Sequence, residues 1–186
     1  MYSIINFEYL FTKYFQAKWK KLPSFKETYE AIKEDLSKGE KNFNVQCEML
    51  ENGMQCKTTM GASNHEFIID APAGLDGTDE GPSPLLAILS CIGACLIAVT
   101  RFWAKIMDIE IEDMKVFSRG SINLSGIFGL DEDELAGFKK LEPVIRIKAN
   151  APKEKVQEMM DQVLSHCPVI TNFEGATPIE PKVQIK

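Results

Sequence analysis

The sequence predicts an α+β, two-layer fold in which sheet strands wrap one long buried helix. Three observations carry it. The apolar spacing changes from a helical period to a period of two near Phe43. Strand-like runs lie on both sides of the segment Pro84–Met107. That segment is apolar on nearly every face, through Leu85, Leu86, Ile88, Leu89, Ile92, Leu96, Ile97 and Val99, and is expected to be buried at its start.

The elements follow in order. Phe7, Leu10, Phe11, Tyr14 and Phe15 recur on one helical face, and Leu22-Pro23 breaks that helix. Ser24-Phe25-Lys26-Glu27 is a capping-box pattern, and Tyr29, Ile32 and Leu36 give the next helix its stripe up to Gly39. Phe43–Leu50 and Met54–Met60 read as strands joined through Asn52-Gly53, which would pair Met49 with Cys56. A third strand spans His65–Asp70, and the Gly-, Pro- and Asp-rich run Ala71–Pro84 reads as a loop. After the long helix, Glu110–Leu124 and Leu141–Ala149 alternate as strands. Pro152 fits a first helical turn, and Val156, Met159, Met160, Val163 and Leu164 form a stripe that continues onto Cys167. Pro178–Ile185 is a candidate closing strand. The expected organisation is an N-terminal helical extension over residues 1–40 and a main domain over 41–186.

Composition narrows the function classes. The 186 residues suit one main core with an appendage. Net charge is −6, from 27 acidic and 21 basic residues, which argues against a nucleic-acid or anionic-membrane surface as the main partner. No secretory signal is visible, and the apolar run Pro84–Val99 reads as too short to span a bilayer before Arg101. Stable membrane insertion is therefore not expected, and a cytoplasmic location is. There, Cys47, Cys56, Cys91, Cys95 and Cys167 are more readily free, catalytic or metal-bound than structural disulfides.

Two cysteines stand out. Cys95 lies in the apolar helix, and Cys167 directly precedes Pro168. Proline at the first position of a new helix makes Cys167 its N-cap, facing unpaired N–H groups that would stabilise a thiolate, with His166 alongside. The plain alternative is that both are small buried apolar residues, as free cysteines usually are. Cys91, four residues before Cys95, reads as packing because an intact helix sets such a pair poorly for a disulfide. Cys47 and Cys56 flank a turn without zinc-knuckle spacing, and His65 and His166 are the two histidines, so packing outweighs metal.

A resemblance sharpens this. The run Gly81-Pro82-Ser83-Pro84 through Cys95, the later His166-Cys167-Pro168-Val169, the segment His65–Asp70 and the Gly-rich loop after it resemble the OsmC/Ohr family of hydroperoxide reductases, in its OsmC-like branch. The match runs from about Phe43 to the C-terminus, so the N-terminal helices lie outside it. They are expected to pack on the body or a partner subunit. A lid over the site mouth is the sharper alternative for them, and the Lys18–Lys21 charge that would favour a membrane surface is diluted by Glu27, Glu30, Glu34 and Asp35.

The resemblance implies an intertwined homodimer of strongly bent antiparallel sheets around central helices, with two active sites at the dimer interface. It implies that Cys95 attacks a peroxide and becomes a sulfenic acid, that Cys167 resolves it as a disulfide, and that an external dithiol restores both, with no bound cofactor. Active members add an arginine from an early strand and a glutamate just after the proline that opens the helix. Here Leu85 and Leu86 follow Pro84, and the hairpin reads Met54-Gln55-Cys56-Lys57. Arg101 lies too far along the helix, so Lys57, His65 and His166 become the candidate activators, although lysine is a point charge and not a bidentate fork. Leu85, Leu86, Ile92, Phe102 and Trp103 are the candidate lining for an apolar substrate tail.

The leading expectation is thus a peroxiredoxin-like thiol peroxidase for organic or fatty-acid hydroperoxides, with role in oxidative stress. The alternative is a weak or inactive dimer that binds an apolar small molecule or responds to redox state, and a third is a zinc hydrolase.

Overall fold

The computed structural model of the chain describes residues 24–51, 53–175 and 177–185. The chain divides into two compact units, Met1–Asn44 and Val45–Lys186. The helix expected around Phe7–Phe15 lies outside the described residues.

In the first unit, α1 (Phe25–Glu34) opens on the expected capping box. The Glu27 N–H donates to Ser24 Oγ at 3.3 Å, and the Ser24 N–H donates to the Glu27 carboxylate at 2.6 Å. The helix ends before Leu36, a turn earlier than expected. Asp35 turns extended and its carboxylate takes the Ser37 N–H at 3.1 Å, starting a separate 3-10 turn at Leu36–Gly39. A short acidic side chain that binds nearby backbone competes with the helix ladder in this way.

The second unit begins with three antiparallel strands, β1 (Val45–Met49), β2 (Cys56–Met60) and β3 (His65–Ile69), in the order β1-β2-β3. Met49 pairs with Cys56 and Cys47 with Thr58, the register that a tight turn at 52–53 demands. Gly53 there has φ +57°, a region open to glycine.

The loop after β3 is knotted around Asp70, which is 1% exposed. Its carboxylate accepts from the Ala71 N–H at 2.7 Å, the Thr78 N–H at 3.0 Å, Thr78 Oγ1 at 2.7 Å and the Glu80 N–H at 3.3 Å. Those donors hold its carboxyl down at about 2. Buried Gln55 ties the hairpin turn to the same loop, donating to Thr78 Oγ1 and the Glu80 carboxylate, each at 2.8 Å. At Gly81 an added Cβ would sit 2.3 Å from the Ile68 carbonyl oxygen, so the chain passes too close for any side chain there. This knot sets where the next helix starts.

That helix, α2 (Pro84–Ile106), begins with Pro84 in its first turn and Ser83 as N-cap, whose Oγ accepts the Leu86 N–H at 3.3 Å. Two expectations fail here. The start is not buried within the chain: Leu86 is 57% exposed, and the buried stripe is Ile92, Leu96, Val99, Thr100 and Ala104. The helix also runs to 23 residues, about 35 Å at the helical rise, and is long and apolar enough to cross a membrane, where the sequence reads its apolar run as too short. One face of it packs against β4 (Ile111–Ser121), α4 (Lys153–Ser165) and α5 (Pro168–Glu174). Complete burial of Leu96 alone contributes about 1.5–3 kcal/mol.

β4 pairs antiparallel with β5 (Lys140–Ala149), and the one-turn helix α3 (Leu124–Ile127) lies between them in sequence. Alternation turns Val116, Leu141, Ile145 and Ile147 to the core. α4 contributes Met159, Met160 and Val163, with Pro152 as its N-cap and not inside the first turn as expected. Pro178–Ile185 forms no strand, contrary to expectation: Ile179, Val183 and Ile185 are almost wholly exposed. The α+β class, antiparallel sheets and long central helix are otherwise as the sequence predicts.

Candidate functional site

The site forms where α2 meets the α4–α5 corner. Cys95 adjoins the fully buried Leu96 on α2 and is itself half-buried. α4 stops at Ser165, His166 is its C-cap, and Pro168 starts α5, so Cys167 is held in the bend with no exposed surface. The Cys167 side chain packs among Met159 and Val163 and makes no capping hydrogen bond. The expectation that helix N–H groups face Cys167 therefore fails. Proline supplies no N–H, so the first donor of α5 is that of Val169, and it reaches the Cys95 sulfur from across the interface.

The two cysteines are brought together by packing: Cys95 lies against the buried cluster that holds Cys167, and Cys167 is among the neighbours that act on its thiol. Burial pushes the Cys95 thiol up from its ordinary value, the Val169 N–H pulls the other way, and the Cys167 and Cys91 sulfurs add to the rise. Among the described residues no basic side chain takes part in that balance. All five cysteines are free, with Cys47 and Cys91 exposed. No group of three or more His, Cys, Asp or Glu side chains is arranged to hold a metal among the described residues.

The candidate activators are scattered. Lys57, on β2, pairs with Glu66 at 2.8 Å, which also raises its pKa. His65 is exposed at the start of β3, paired with Met60. Only His166 belongs to the corner. Its Nδ1 lies 2.8 Å from the Gln162 carbonyl oxygen and 3.0 Å from Ser165 Oγ, and its ring stands 5.2 Å from the Trp103 ring centroid. A carbonyl only accepts, so that contact places a proton on Nδ1.

The five candidate substrate residues do not form one pocket within the chain. Leu85 and Phe102 are 17 positions apart on one helix, roughly 25 Å along its axis. Leu86 lines a cleft of about 400 Å³ against β4, with Ala94 and Val116. Ile92 lines a separate cleft of about 550 Å³ whose other walls come from β5, α4 and α5. The Val169 donor and the Asp70 knot were not singled out from the sequence. Cys-Pro-Val carries a signal for the first, since proline leaves the following N–H as the helix's leading donor.

Comparison with known proteins places this arrangement. A hydroperoxide reductase of Mycoplasma pneumoniae is 26% identical over 131 residues, covering 69% of this chain and 87% of that protein. The crystal structure of an OsmC-like protein from Mycoplasma pneumoniae superposes with a TM-score of 0.63 at 20% identity, covering 73% of this chain and 89% of the other. An organic hydroperoxide resistance protein from Elizabethkingia anophelis follows at a TM-score of 0.54 and 17% identity, covering 73% and 90%. The family model described as OsmC-like protein matches residues 77–182, from the loop before α2 past both cysteines, and the chain belongs to that family.

Proposed function

We propose that the chain reduces organic hydroperoxides with Cys95 as the attacking thiol and Cys167 as the resolving one, working as a homodimer with an external dithiol. The observation that supports this is the packing of Cys95 against the buried cluster that holds Cys167, reached from separate elements. The Cys95 thiolate attacks the terminal peroxide oxygen, the O–O bond breaks, and the alcohol leaves with a proton. The resulting sulfenic acid is attacked by the Cys167 sulfur, water leaves, and a disulfide forms. Two thiol exchanges with the dithiol then return both cysteines to thiols. The Val169 N–H favours the thiolate over the thiol, a share of the task that the resemblance assigns to an arginine. The names of the relatives, a hydroperoxide reductase and an organic hydroperoxide resistance protein, agree with a peroxide-related role.

Steady-state turnover of cumene hydroperoxide with dithiothreitol tests it. Cys95→Ser is expected to fall to the uncatalysed rate, and Cys167→Ser to lose turnover while still consuming one equivalent of peroxide. A Cys95→Ser protein as active as the parent would sink the assignment. The second reading, a catalytically weak family member that binds an apolar molecule or senses redox state, is favoured by one observation, the upward push on the Cys95 thiol. Peroxide turnover no faster than that of free cysteine would select it.

A further inference from the structure

The three-stranded sheet gathers sulfur on one of its faces. Side chains alternate along a strand, so Cys47 and Met49 on β1 share a face with Cys56 and Thr58 on β2. Cys47 stands directly opposite Thr58 and Met49 directly opposite Cys56, which sets the two cysteines on a diagonal. Both sulfurs reach the same oxygen atom: Thr58 Oγ1 lies 3.8 Å from Cys47 Sγ and 4.0 Å from Cys56 Sγ. Thr58 is 3% exposed, whereas Cys47 is exposed and Met49 is 91% exposed, so burial within the chain does not account for the sulfur on β1. Phe67 and Ile69 on β3, paired with Thr58 and Cys56, continue the face as an apolar wall. The charged pair Lys57–Glu66 belongs to the other face.

We propose that Cys47 and Cys56, joined by the Met49 thioether, bind a soft monovalent cation of the copper(I) class. A direct disulfide needs Cβ atoms about 3.5–4.5 Å apart, and a diagonal cross-strand pair stands roughly 7 Å apart. A metal about 2.3 Å from each sulfur spans that longer gap. Zinc is poorly served, since it takes four ligands, mostly thiolate, imidazole or carboxylate, and no His, Asp or Glu joins the two cysteines in a group of three among the described residues. Thiolate and thioether together select copper(I). Met49 is unbranched and exposed, so its sulfur is free to swing over the pair. Binding releases two protons, one from each thiol, and leaves the oxidation state of the metal unchanged. Once both sulfurs are thiolates, the Thr58 hydroxyl is the donor between them and holds one in place. The site shares no residue with Cys95 and Cys167 and does not depend on the peroxidase reading.

The full chain is titrated with copper(I) without oxygen, in competition with bicinchoninate, a chromogenic copper(I) chelator. The expected result is one equivalent per chain that Cys47→Ser and Cys56→Ser each lose and Cys95→Ser keeps. Met49→Leu should hold it about tenfold more weakly, the scale of a lost supporting contact at a metal. A second readout needs no variant: one equivalent of copper(I) added to the parent should shield Cys47 and Cys56 from iodoacetamide, mapped by peptide mass, while exposed Cys91 still reacts. No copper withdrawn from the chelator, copper retained by both serine variants, or copper lost in Cys95→Ser and kept in Cys47→Ser would overturn the proposal. Alkylation of Cys47 at the same rate with and without copper would do the same. Zinc(II) giving equal protection would reject the monovalent class.

Discussion

Cys95 is caught between opposing influences at the scale of a few atoms. Its half-buried place on an apolar helix penalises the charged form, and the Cys167 sulfur adds to that penalty. One backbone donor works against them. The net direction is upward, so at neutral pH the thiol form dominates within the chain. The alkylation rate of Cys95 by iodoacetamide, followed in a Cys47→Ser/Cys91→Ser background, should therefore still be climbing above pH 9 with no plateau near neutrality. A plateau below pH 7 would show that a cation from outside this chain reaches the sulfur. The two cysteines were singled out in the sequence through motifs that resemble a known family, and each motif is local. The donor was not, since Val169 and Cys95 are 74 positions apart and meet only through packing.

Elements are joined by equally specific devices. The loop between β3 and α2 is held by Asp70, whose carboxyl is down at about 2 against roughly 3.9 in an unfolded chain. A depressed carboxyl contributes stability that is fully present above the unfolded value and is lost as pH falls towards the folded one. The stability contributed by Asp70 should accordingly disappear between about pH 4 and pH 2. Asp70→Asn, followed by urea denaturation across that range, should be less stable than the parent at pH 7 and show a flatter acid limb. An unchanged acid limb would mean that the knot does not contribute to stability. The sequence marked this stretch as a loop from its glycines, prolines and aspartates but did not reveal that it was built around one acid. The hairpin register, by contrast, was readable two strands deep, because a two-residue turn leaves no freedom in pairing.

At the scale of the whole molecule, the apolar surface left uncovered by one chain is large. Leu86 and Phe102 on α2, Val45 and Met49 on β1, Phe128 and Leu130 between β4 and β5, and the alternating Ile179, Val183 and Ile185 all face outward. Among the described residues, sheet β1-β2-β3 pairs only within itself, leaving its outer edges open. A second copy would cover such surface, and sedimentation at micromolar concentration should give twice the 20.9 kDa of the chain. A monomer across that range would remove the homodimer from the proposed function. The substrate residues expected from the sequence fail to converge for the same reason: they were chosen along one straight helix, which spreads them over tens of ångströms in any single chain.

The sequence by itself determined the class of fold, the order of the first three strands, the long helix and the later strand pair, and the turn that sets the hairpin register, because each is written in short-range periodicity or turn chemistry. Only the tertiary structure decided that Cys167 is buried while the leading N–H of its helix serves Cys95, and that the apolar helix has one covered face and one bare one. Those outcomes depend on which faces of distant elements meet, and burial, donor direction and charge environment exist only once they have met.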